Sequence, residues 1–354
     1  MKAVNLKKEI QNPSILYERM DMNSESELKE TVKGIIEKRG KAAIEQARQE
    51  ILDSQYNGGV VSSALKYFAR VTLQGGLPVF PALISLSCEA VGGKTEKTTS
   101  IGAALTLIAG AADIHDDIID QSIIKYSKKT VFGKFGNDIA LLAGDALLMQ
   151  GSMFLHRECE SLPKEQRKAI LSLIPEALFE ISNAEAKEIR LMRKLDTTPQ
   201  EYFEIIRLKA VVPKVHCEIG GILGNATEDT VKSWGQYGRT FGIVSGIRDE
   251  FIDLIEYSEF QNRLKNECPP LPMLYALQNP EIKNEIKPLI ERANLTKKDI
   301  NKIVKTILGS KEIQELKNDT YLLVREEAQR VSTMQRNESR KEASLLLKAV
   351  LEGL

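Results

Sequence analysis

Four acidic residues near the middle of the chain share one side of a predicted helix. The stretch IGAALTLIAGAADIHDDIID is apolar at first and then carries Asp113, Asp116, Asp117 and Asp120. This spacing of i, i+3, i+4 and i+7 places all four carboxylates on one stripe of an α-helix. Clustered carboxylates repel one another and need a counter-ion, and hard cations such as Mg²⁺ prefer oxygen ligands. The stretch therefore predicts a magnesium site or, more simply, a solvated acidic helix end.

A second acidic stretch favours the magnesium site. Residues 242–256 read GIVSGIRDEFIDLIE, in which Asp249, Glu250 and Asp253 repeat the i, i+1, i+4 spacing among apolar residues at helical spacing. Two such helices facing each other across a cavity could hold several Mg²⁺ ions and, through them, a substrate diphosphate. The predicted metal ligands are Asp116, Asp117, Asp120, Asp249, Glu250 and Asp253.

The order of the motifs resembles that of the trans-isoprenyl diphosphate synthases, the class I, all-α polyprenyl synthetases. The strings HDDIIDQS, VFGKFGNDIALLAGDALL, YFEIIRLKA, GIRDEFIDL and LPMLYAL follow one another as they do in that family. The resemblance covers roughly residues 60–280. It implies a homodimeric enzyme that uses several Mg²⁺ ions to ionise an allylic prenyl diphosphate. Paired acidic motifs do not by themselves separate chain elongation from cyclisation.

Several basic residues match positions that bind diphosphate in this family. Lys209 corresponds to the lysine of the family's KT motif, although a lysine that extends from a helix face into solvent is the simpler alternative. Arg248 either pairs with a phosphate or neutralises the acids beside it. Arg263 or Lys265 replaces a family lysine that follows the second acidic motif. The resemblance thus implies catalytic roles for Asp116, Asp117 and Lys209, and substrate binding by Lys209, Arg248, Lys125 and Arg263.

The segment that binds the second substrate in chain-elongating relatives has lost its charges. In those proteins a GGKRxRP motif supplies three cations near isopentenyl diphosphate, whereas residues 75–81 here read GGLPVFP. A family His or Gln is replaced by Ala109, and the family's RRG reads KYS from Lys125. Because diphosphates depend on charge-assisted contacts, the allylic site is expected to be intact and the isopentenyl diphosphate site weakened. Nearby lysines could rebuild it, namely Lys128, Lys129 or Lys134.

Three functions are compatible with this pattern. A prenyltransferase that acts on allylic diphosphates is preferred, because the family resemblance favours it. A terpene-synthase-like cyclase or a diphosphate lyase with a single prenyl diphosphate substrate is the first alternative, because of the lost cations. A non-catalytic subunit of a heteromeric synthase is the second, although a repulsive acidic cluster has little reason to persist without its metals.

Small residues before the first acidic motif predict a deep pocket for the prenyl tail. Ala111 and Ala112 lie about one turn before Asp116, where bulky aromatic residues form a floor in short-chain members of the family. The next candidate floor is Ile108, about 5 Å deeper at the helix pitch. This depth adds about one isoprene unit and predicts a substrate or product of at least twenty carbons. Alternatively, the small residues only let a neighbouring helix pack closely.

Composition favours a cytoplasmic protein. Lys plus Arg equals Asp plus Glu, 49 each, so nucleic acid and anionic membrane surfaces are not expected partners. The four cysteines lack metal-ligand spacing and are interpreted as reduced thiols. No signal-peptide core is present, and the longest apolar run, 101–114, is too short to span a bilayer. No transmembrane segment is therefore predicted.

The pattern is helical almost throughout. We predict one all-α domain over residues 1–354, a helical bundle around an apolar cavity, with a polar N-terminal extension at 1–23. Residues 121–137 are predicted to form a loop, and no β-hairpin is expected anywhere. Pro213 is expected to kink the helix that contains Lys209.

Overall fold

The computed structural model describes residues 22–55, 58–73, 77–125, 127–290, 295–333 and 337–352, with side chains from residue 27 onward. Within these ranges the regular secondary structure is helical apart from one short hairpin, which confirms the all-α prediction. The predicted extension lies outside the described residues up to position 21, as do Gly75, Gly76 and Tyr126.

The helices of the described residues are numbered in chain order. They are α1 (Met22–Leu52), α2 (Gly59–Val71), α3 (Val79–Ala90), α4 (Thr98–Ile119), α5 (Val131–Phe135), α6 (Asn137–Cys159), α7 (Lys164–Leu191), α8 (Pro199–Lys209), α9 (Val211–Leu223), α10 (Glu228–Ile255), α11 (Tyr257–Asn266), α12 (Leu271–Ala276), α13 (Pro280–Ile290), α14 (Lys297–Leu308), α15 (Lys311–Thr333) and α16 (Glu338–Leu351). The two acidic stretches therefore lie at the C-terminal ends of α4 and α10.

A short β-hairpin follows the first acidic stretch. Strand β1 (Ile124–Lys125) pairs antiparallel with β2 (Lys128–Lys129), so that Lys125 lies opposite Lys128. The base of the hairpin is closed by Thr130, whose hydroxyl donates to the carbonyl of Ser122 at 2.7 Å. The prediction that no hairpin is present was wrong, because strands of two residues are too short to show an alternating pattern. The hairpin returns Lys125 to the end of α4.

Helix α4 packs closely along α6. A Cβ atom on Gly144 of α6 would collide with the ring of His115, and one on Gly151 would lie 2.9 Å from Ile108 Cγ1. Glycine is needed at these two positions because the helices approach so closely. One side of α4 is therefore buried against α6, and the acids project from another side.

The helix that contains Lys209 is interrupted near Pro213. Helix α8 ends at Lys209, Ala210 has ψ of 2°, and α9 starts at Val211. Pro213 has no N–H group to donate to the carbonyl four residues earlier, so the ladder of hydrogen bonds is broken there. The predicted interruption is thus present, and it leaves Lys209 at a helix end.

Helix α6 has one packed side and one exposed apolar side. By length and composition alone, it is the one helix within the described ranges that could cross a membrane, and 39% of its most apolar window is buried. The packed side lies against α4. The apolar face of α6, as it is called below, consists of Leu141, Leu142, Met149 and Met153, all exposed.

Candidate active site

Lys125 lies among the acids of α4. Its Nζ atom is 2.8 Å from Asp117 Oδ1, 3.5 Å from Asp116 Oδ2 and 3.7 Å from Asp113 Oδ1. Burial opposes the charge of Lys125, but the three carboxylates outweigh it and raise the pKa of this lysine. The β-hairpin thus places Lys125 as a counter-ion to the clustered carboxylates. This counter-ion is a side chain of the protein itself.

The acids of α4 remain short of positive charge. Burial raises the pKa of Asp117 to about 7 even though Lys125 opposes this. Burial, Asp116 and Glu267 together raise the pKa of Asp120 to about 9. Asp116 Oδ1 is buried and has no hydrogen-bond partner among the described residues. A further cation at this position would stabilise the charged carboxylates.

Lys209 reaches the same cluster from the end of α8. Its Nζ atom lies 2.6 Å from Glu188 Oε2 and 2.9 Å from Glu185 Oε1, both on α7. Burial opposes its charge, but Glu188, Asp116 and Glu185 raise the pKa of Lys209. Its side chain is 37% exposed, and its ammonium group is held by the two glutamates of α7.

Glu185 and Glu188 are site residues that the sequence analysis missed. They belong to a long charged helix, α7, in which glutamates are frequent, and only Glu165 and Glu176 of that helix are exposed. The signal that could have identified them is their position beside Ala184, a small residue that is fully buried in the bundle. The i, i+3 spacing of the two glutamates then places both on one face of α7.

The second acidic stretch is divided between an exposed and a buried part. Asp249 pairs with its neighbour Arg248, whose Nη2 atom lies 3.0 Å from Asp249 Oδ1. Glu250, in contrast, is buried. Its Oε1 atom accepts hydrogen bonds from Tyr202 Oη at 2.9 Å and Arg263 Nη1 at 3.1 Å. Its Oε2 atom accepts from Arg263 Nη2 at 3.0 Å and from the Leu271 backbone at 2.9 Å. Protein donors thus occupy both oxygens of Glu250, and its role as a metal ligand stays a prediction.

Arg263 lies inside this buried network. Its side chain is 6% exposed, its Nη1 atom donates to Asp253 Oδ2 at 2.9 Å, and its Nε atom donates to the Cys268 carbonyl at 3.0 Å. Burial opposes its charge, but Glu250, Tyr202, Glu267 and Asp253 raise the pKa of Arg263. Contact between Arg263 and substrate likewise stays a prediction. This residue holds Asp253 and Glu250 in place.

A polar bridge joins the end of α4 to α11, the helix that follows α10. Asn262 of α11 donates from Nδ2 to the carbonyl of Asp120 at 3.4 Å and to Glu267 Oε1 at 2.6 Å. The charge of Glu267 in turn acts on both Asp120 and Asp253. The acids of α4, α7 and α10 thus belong to one continuous acidic region.

The donor atoms of this region suit a hard divalent cation. As they stand, no His, Cys, Asp and Glu side chains of the described ranges form a group of three that would hold a metal ion. However, three carboxylates of α4 already approach a single ammonium group within 4 Å, and Asp116 Oδ1 is left unpaired. Magnesium prefers such an all-oxygen set, completed by water and substrate phosphate. The residues therefore fit Mg²⁺.

The three residues predicted to line the prenyl-tail pocket, Ala111, Ala112 and Ile108, differ in their surroundings. Ile108 and His115 both contact glycines of α6, and Ala111 lies on the same side of α4, about one turn from each. Ala111 is buried, whereas Ala112 is partly exposed. Ala112 precedes Asp116 by four residues and so shares the acidic side of α4. Close packing accounts for Ile108 and Ala111, and only Ala112 is left free to meet a ligand.

The amino-acid sequence is similar to those of known prenyl diphosphate synthases. A family model described as polyprenyl synthetase matches residues 62–307. The short chain isoprenyl diphosphate synthase of Methanothermobacter thermautotrophicus is 29% identical over 229 residues, which are 64% of this chain and 68% of that protein. Heptaprenyl diphosphate synthase component 2 of Bacillus subtilis is 24% identical over 282 residues, 78% of each protein.

The fold is shared with solved structures. The crystal structure of geranylgeranyl pyrophosphate synthetase from Pyrococcus horikoshii superposes with a TM-score of 0.79 over 91% of this chain and 98% of that one, at 23% identity. Because the family model spans well over half of the sequence, the protein belongs to the polyprenyl synthetase family and is a prenyltransferase.

Proposed function

We propose that the protein is a Mg²⁺-dependent prenyltransferase that ionises an allylic prenyl diphosphate of at least twenty carbons. The observation that carries this proposal is the position of Lys125 among the acids of α4, with Lys209, held by Glu185 and Glu188, within electrostatic range of Asp116. When bound, Mg²⁺ would stabilise the negative charge that develops on the leaving diphosphate. The proposed metal-holding residues are Asp116, Asp117, Asp120, Asp249 and Asp253.

Lys209 acts as a fixed positive group beside the leaving diphosphate. Glu185 and Glu188 hold its ammonium at the end of α8, so little reorganisation is needed as charge develops. That helix is itself fixed at its start by a capping box between Thr198 and Glu201, with Pro199 in the first turn. Arg263 orients Asp253 from behind. Neighbouring side chains thus hold both Lys209 and Asp253 in position.

The proposal is tested by incubating the purified protein with geranylgeranyl diphosphate and Mg²⁺, with and without isopentenyl diphosphate. With isopentenyl diphosphate present, we expect release of diphosphate together with a prenyl diphosphate longer by one unit, and EDTA should abolish both while added Mg²⁺ restores them. A hydrocarbon or alcohol formed from the donor alone would instead identify a cyclase or a lyase. No release under any of these conditions contradicts the proposal.

Replacing Ala112 with Phe is expected to shorten the preferred substrate or product. The side chain lies on the acidic side of α4, about one turn from Asp116, so a ring there blocks the path of a prenyl tail. The measurement is the ratio of kcat/KM for geranylgeranyl diphosphate to that for farnesyl diphosphate, which should fall in the variant.

Ala111→Phe is the matched control. Ala111 is buried, so a larger side chain there should destabilise the protein by about 1–3 kcal/mol. It should leave the preference for chain length unchanged in the protein that remains folded. An unaltered preference in folded Ala112→Phe would refute the pocket assignment.

We also propose that the protein is a cytoplasmic homodimer and that the apolar face of α6 forms the interface. Exposed apolar side chains grouped on one helix are typical of a protein–protein contact. Replacing Met149 and Met153 together with Glu is expected to yield monomers in light scattering after gel filtration, whereas Leu322→Glu, at an equally exposed site on α15, should not. A wild-type monomer would contradict the proposal and favour a partner of different sequence.

A further inference from the structure

The Tyr202 hydroxyl lies between the residues that hold Lys209 and the second acidic stretch. Its Oη atom is 2.9 Å from Glu188 Oε1 and 2.9 Å from Glu250 Oε1, and it accepts a hydrogen bond from Arg263 Nη2 at 2.6 Å. The side chain is buried, and burial raises the pKa of Tyr202 well above its usual range, so the hydroxyl keeps its proton. A hydroxyl has one hydrogen to donate, and two carboxylates compete for it here.

Glu250 depends less on this hydrogen than Glu188 does. Arg263 donates to both oxygens of Glu250, and a backbone N–H donates to one of them. Glu188, in contrast, has the ammonium of Lys209 at Oε2 and the Tyr202 hydroxyl at Oε1. Because Glu188 is buried as well, an Oε1 atom without a donor would be costly. The hydrogen of Tyr202 is therefore assigned to Glu188.

This assignment decides how many hydrogen bonds of Lys209 remain for a ligand. An ammonium group has three N–H donors. Two of them are used by the glutamates of α7, since Nζ lies 2.9 Å from Glu185 Oε1 and 2.6 Å from Glu188 Oε2. If Glu188 Oε1 lost the Tyr202 hydroxyl, it would draw the third N–H as well, because Lys209 already contacts the other oxygen of the same carboxylate.

We propose that Tyr202 is a positioning residue that acts through Glu188 to keep one N–H of Lys209 available to the leaving diphosphate. This rests on the proposed function, in which Lys209 is the fixed positive group beside that diphosphate. With the hydroxyl in place, Glu188 uses one oxygen for Lys209. Without it, both oxygens of Glu188 compete with the phosphate oxygens for the same ammonium.

Tyr202→Phe tests the role of the hydroxyl, because it keeps the ring. Affinity is measured by calorimetry with Mg²⁺ and inorganic diphosphate, a probe that needs no prenyl tail. We expect the dissociation constant to rise by about ten- to a hundredfold, the range for losing a hydrogen bond to a charged group.

Tyr237→Phe is the matched control. Tyr237 is another buried tyrosine, and its hydroxyl donates to the carbonyl of Ala343 at 2.9 Å. Its loss removes a buried hydrogen bond without a connection to Lys209. The dissociation constant for diphosphate should therefore stay within about twofold of the wild-type value.

A double-mutant cycle assigns the effect to Glu188. Glu188→Gln removes the charge that competes for the ammonium of Lys209. In that background, Tyr202→Phe should change the dissociation constant by less than about twofold. An equally large effect of Tyr202→Phe in the wild-type and the Glu188→Gln backgrounds would mean that Tyr202 acts through packing alone, and would overturn the proposal.

The wild-type protein reports on the proposed function separately. If it binds no inorganic diphosphate in the presence of Mg²⁺, the diphosphate site is wrong and the role of Tyr202 fails with it. If wild-type binding is normal and Tyr202→Phe leaves it unchanged, only the role of Tyr202 is wrong.

Thermal unfolding shows whether Tyr202→Phe is folded. If it is not, 3-fluorotyrosine at position 202 decides instead, since it keeps the hydroxyl and makes it a stronger donor. That protein is expected to bind inorganic diphosphate more tightly than the wild type. Unchanged or weaker binding overturns the proposal.

Discussion

Replacing Asp116 with Asn is expected to lower kcat/KM for geranylgeranyl diphosphate by about two to three orders of magnitude, the effect typical of removing one group that stabilises transition-state charge. Asp116 lies 3.5 Å from Lys125 and acts electrostatically on Lys209, so it is central to the cluster. The amide keeps the size of the side chain and loses its charge. Because one source of repulsion is removed, the folded state should not be weakened.

The matched comparison uses the other acidic helix. Asp249→Asn should reduce kcat/KM similarly, whereas Asp229→Asn, at an exposed position in the first turn of the same helix α10, should leave it within about twofold. Circular dichroism and urea unfolding check the fold of each variant. Near-normal turnover in Asp116→Asn or Asp249→Asn would show that the metal-binding assignment is wrong.

Arg263→Met is expected to lower the free energy of unfolding by about 3–5 kcal/mol, the usual cost of removing one partner from a buried ion pair. Arg263 is the guanidinium that compensates the buried Glu250, and it also pairs with Asp253 and Glu267. Methionine has a similar length but cannot donate hydrogen bonds. The carboxylate of Glu250 would then be left with the Tyr202 hydroxyl and one backbone N–H.

The control is an arginine whose ion pair is exposed. Arg207 lies 2.7 Å from Glu204 on the surface of α8, where such pairs contribute about 0–1 kcal/mol. Arg207→Met should therefore have a small effect on the urea midpoint. If Arg263→Met and Arg207→Met shift the midpoint equally, the buried network does not stabilise this part of the fold as argued.

The acidic residues of α4 could be predicted from sequence because helical periodicity alone decides which positions share a face. Asp113, Asp116 and Asp117 do share one, and all three approach Lys125. Which residue neutralises these acids could not be predicted from the sequence. Lys125 was expected at the substrate, and its return to α4 depends on a hairpin of two-residue strands that leaves no pattern in the sequence.

Other site residues depend on which helix faces meet, and this is decided by tertiary packing. Glu185 and Glu188 of α7 both pair with Lys209, and Glu188 also accepts a hydrogen bond from Tyr202, but their local sequence shows neither contact. Arg263 was expected at the substrate and Glu250 at a metal ion, because nothing in their local sequence shows that they meet each other, Tyr202 and the start of α12 in a buried network. Tyr202, which accepts a hydrogen bond from Arg263 at 2.6 Å, carries no local signal either.

If Mg²⁺ binds the acids of α4 as proposed, the position of Lys125 makes that binding an exchange reaction. Its ammonium already balances part of the charge on Asp117, Asp116 and Asp113, so a divalent cation that binds these carboxylates must displace it. The displaced ammonium is then free to meet an anion arriving at the same place. Metal and diphosphate each favour the state in which Lys125 has left Asp117, so each should raise the affinity for the other. Positive cooperativity between two ligands would thus arise from the movement of a single side chain.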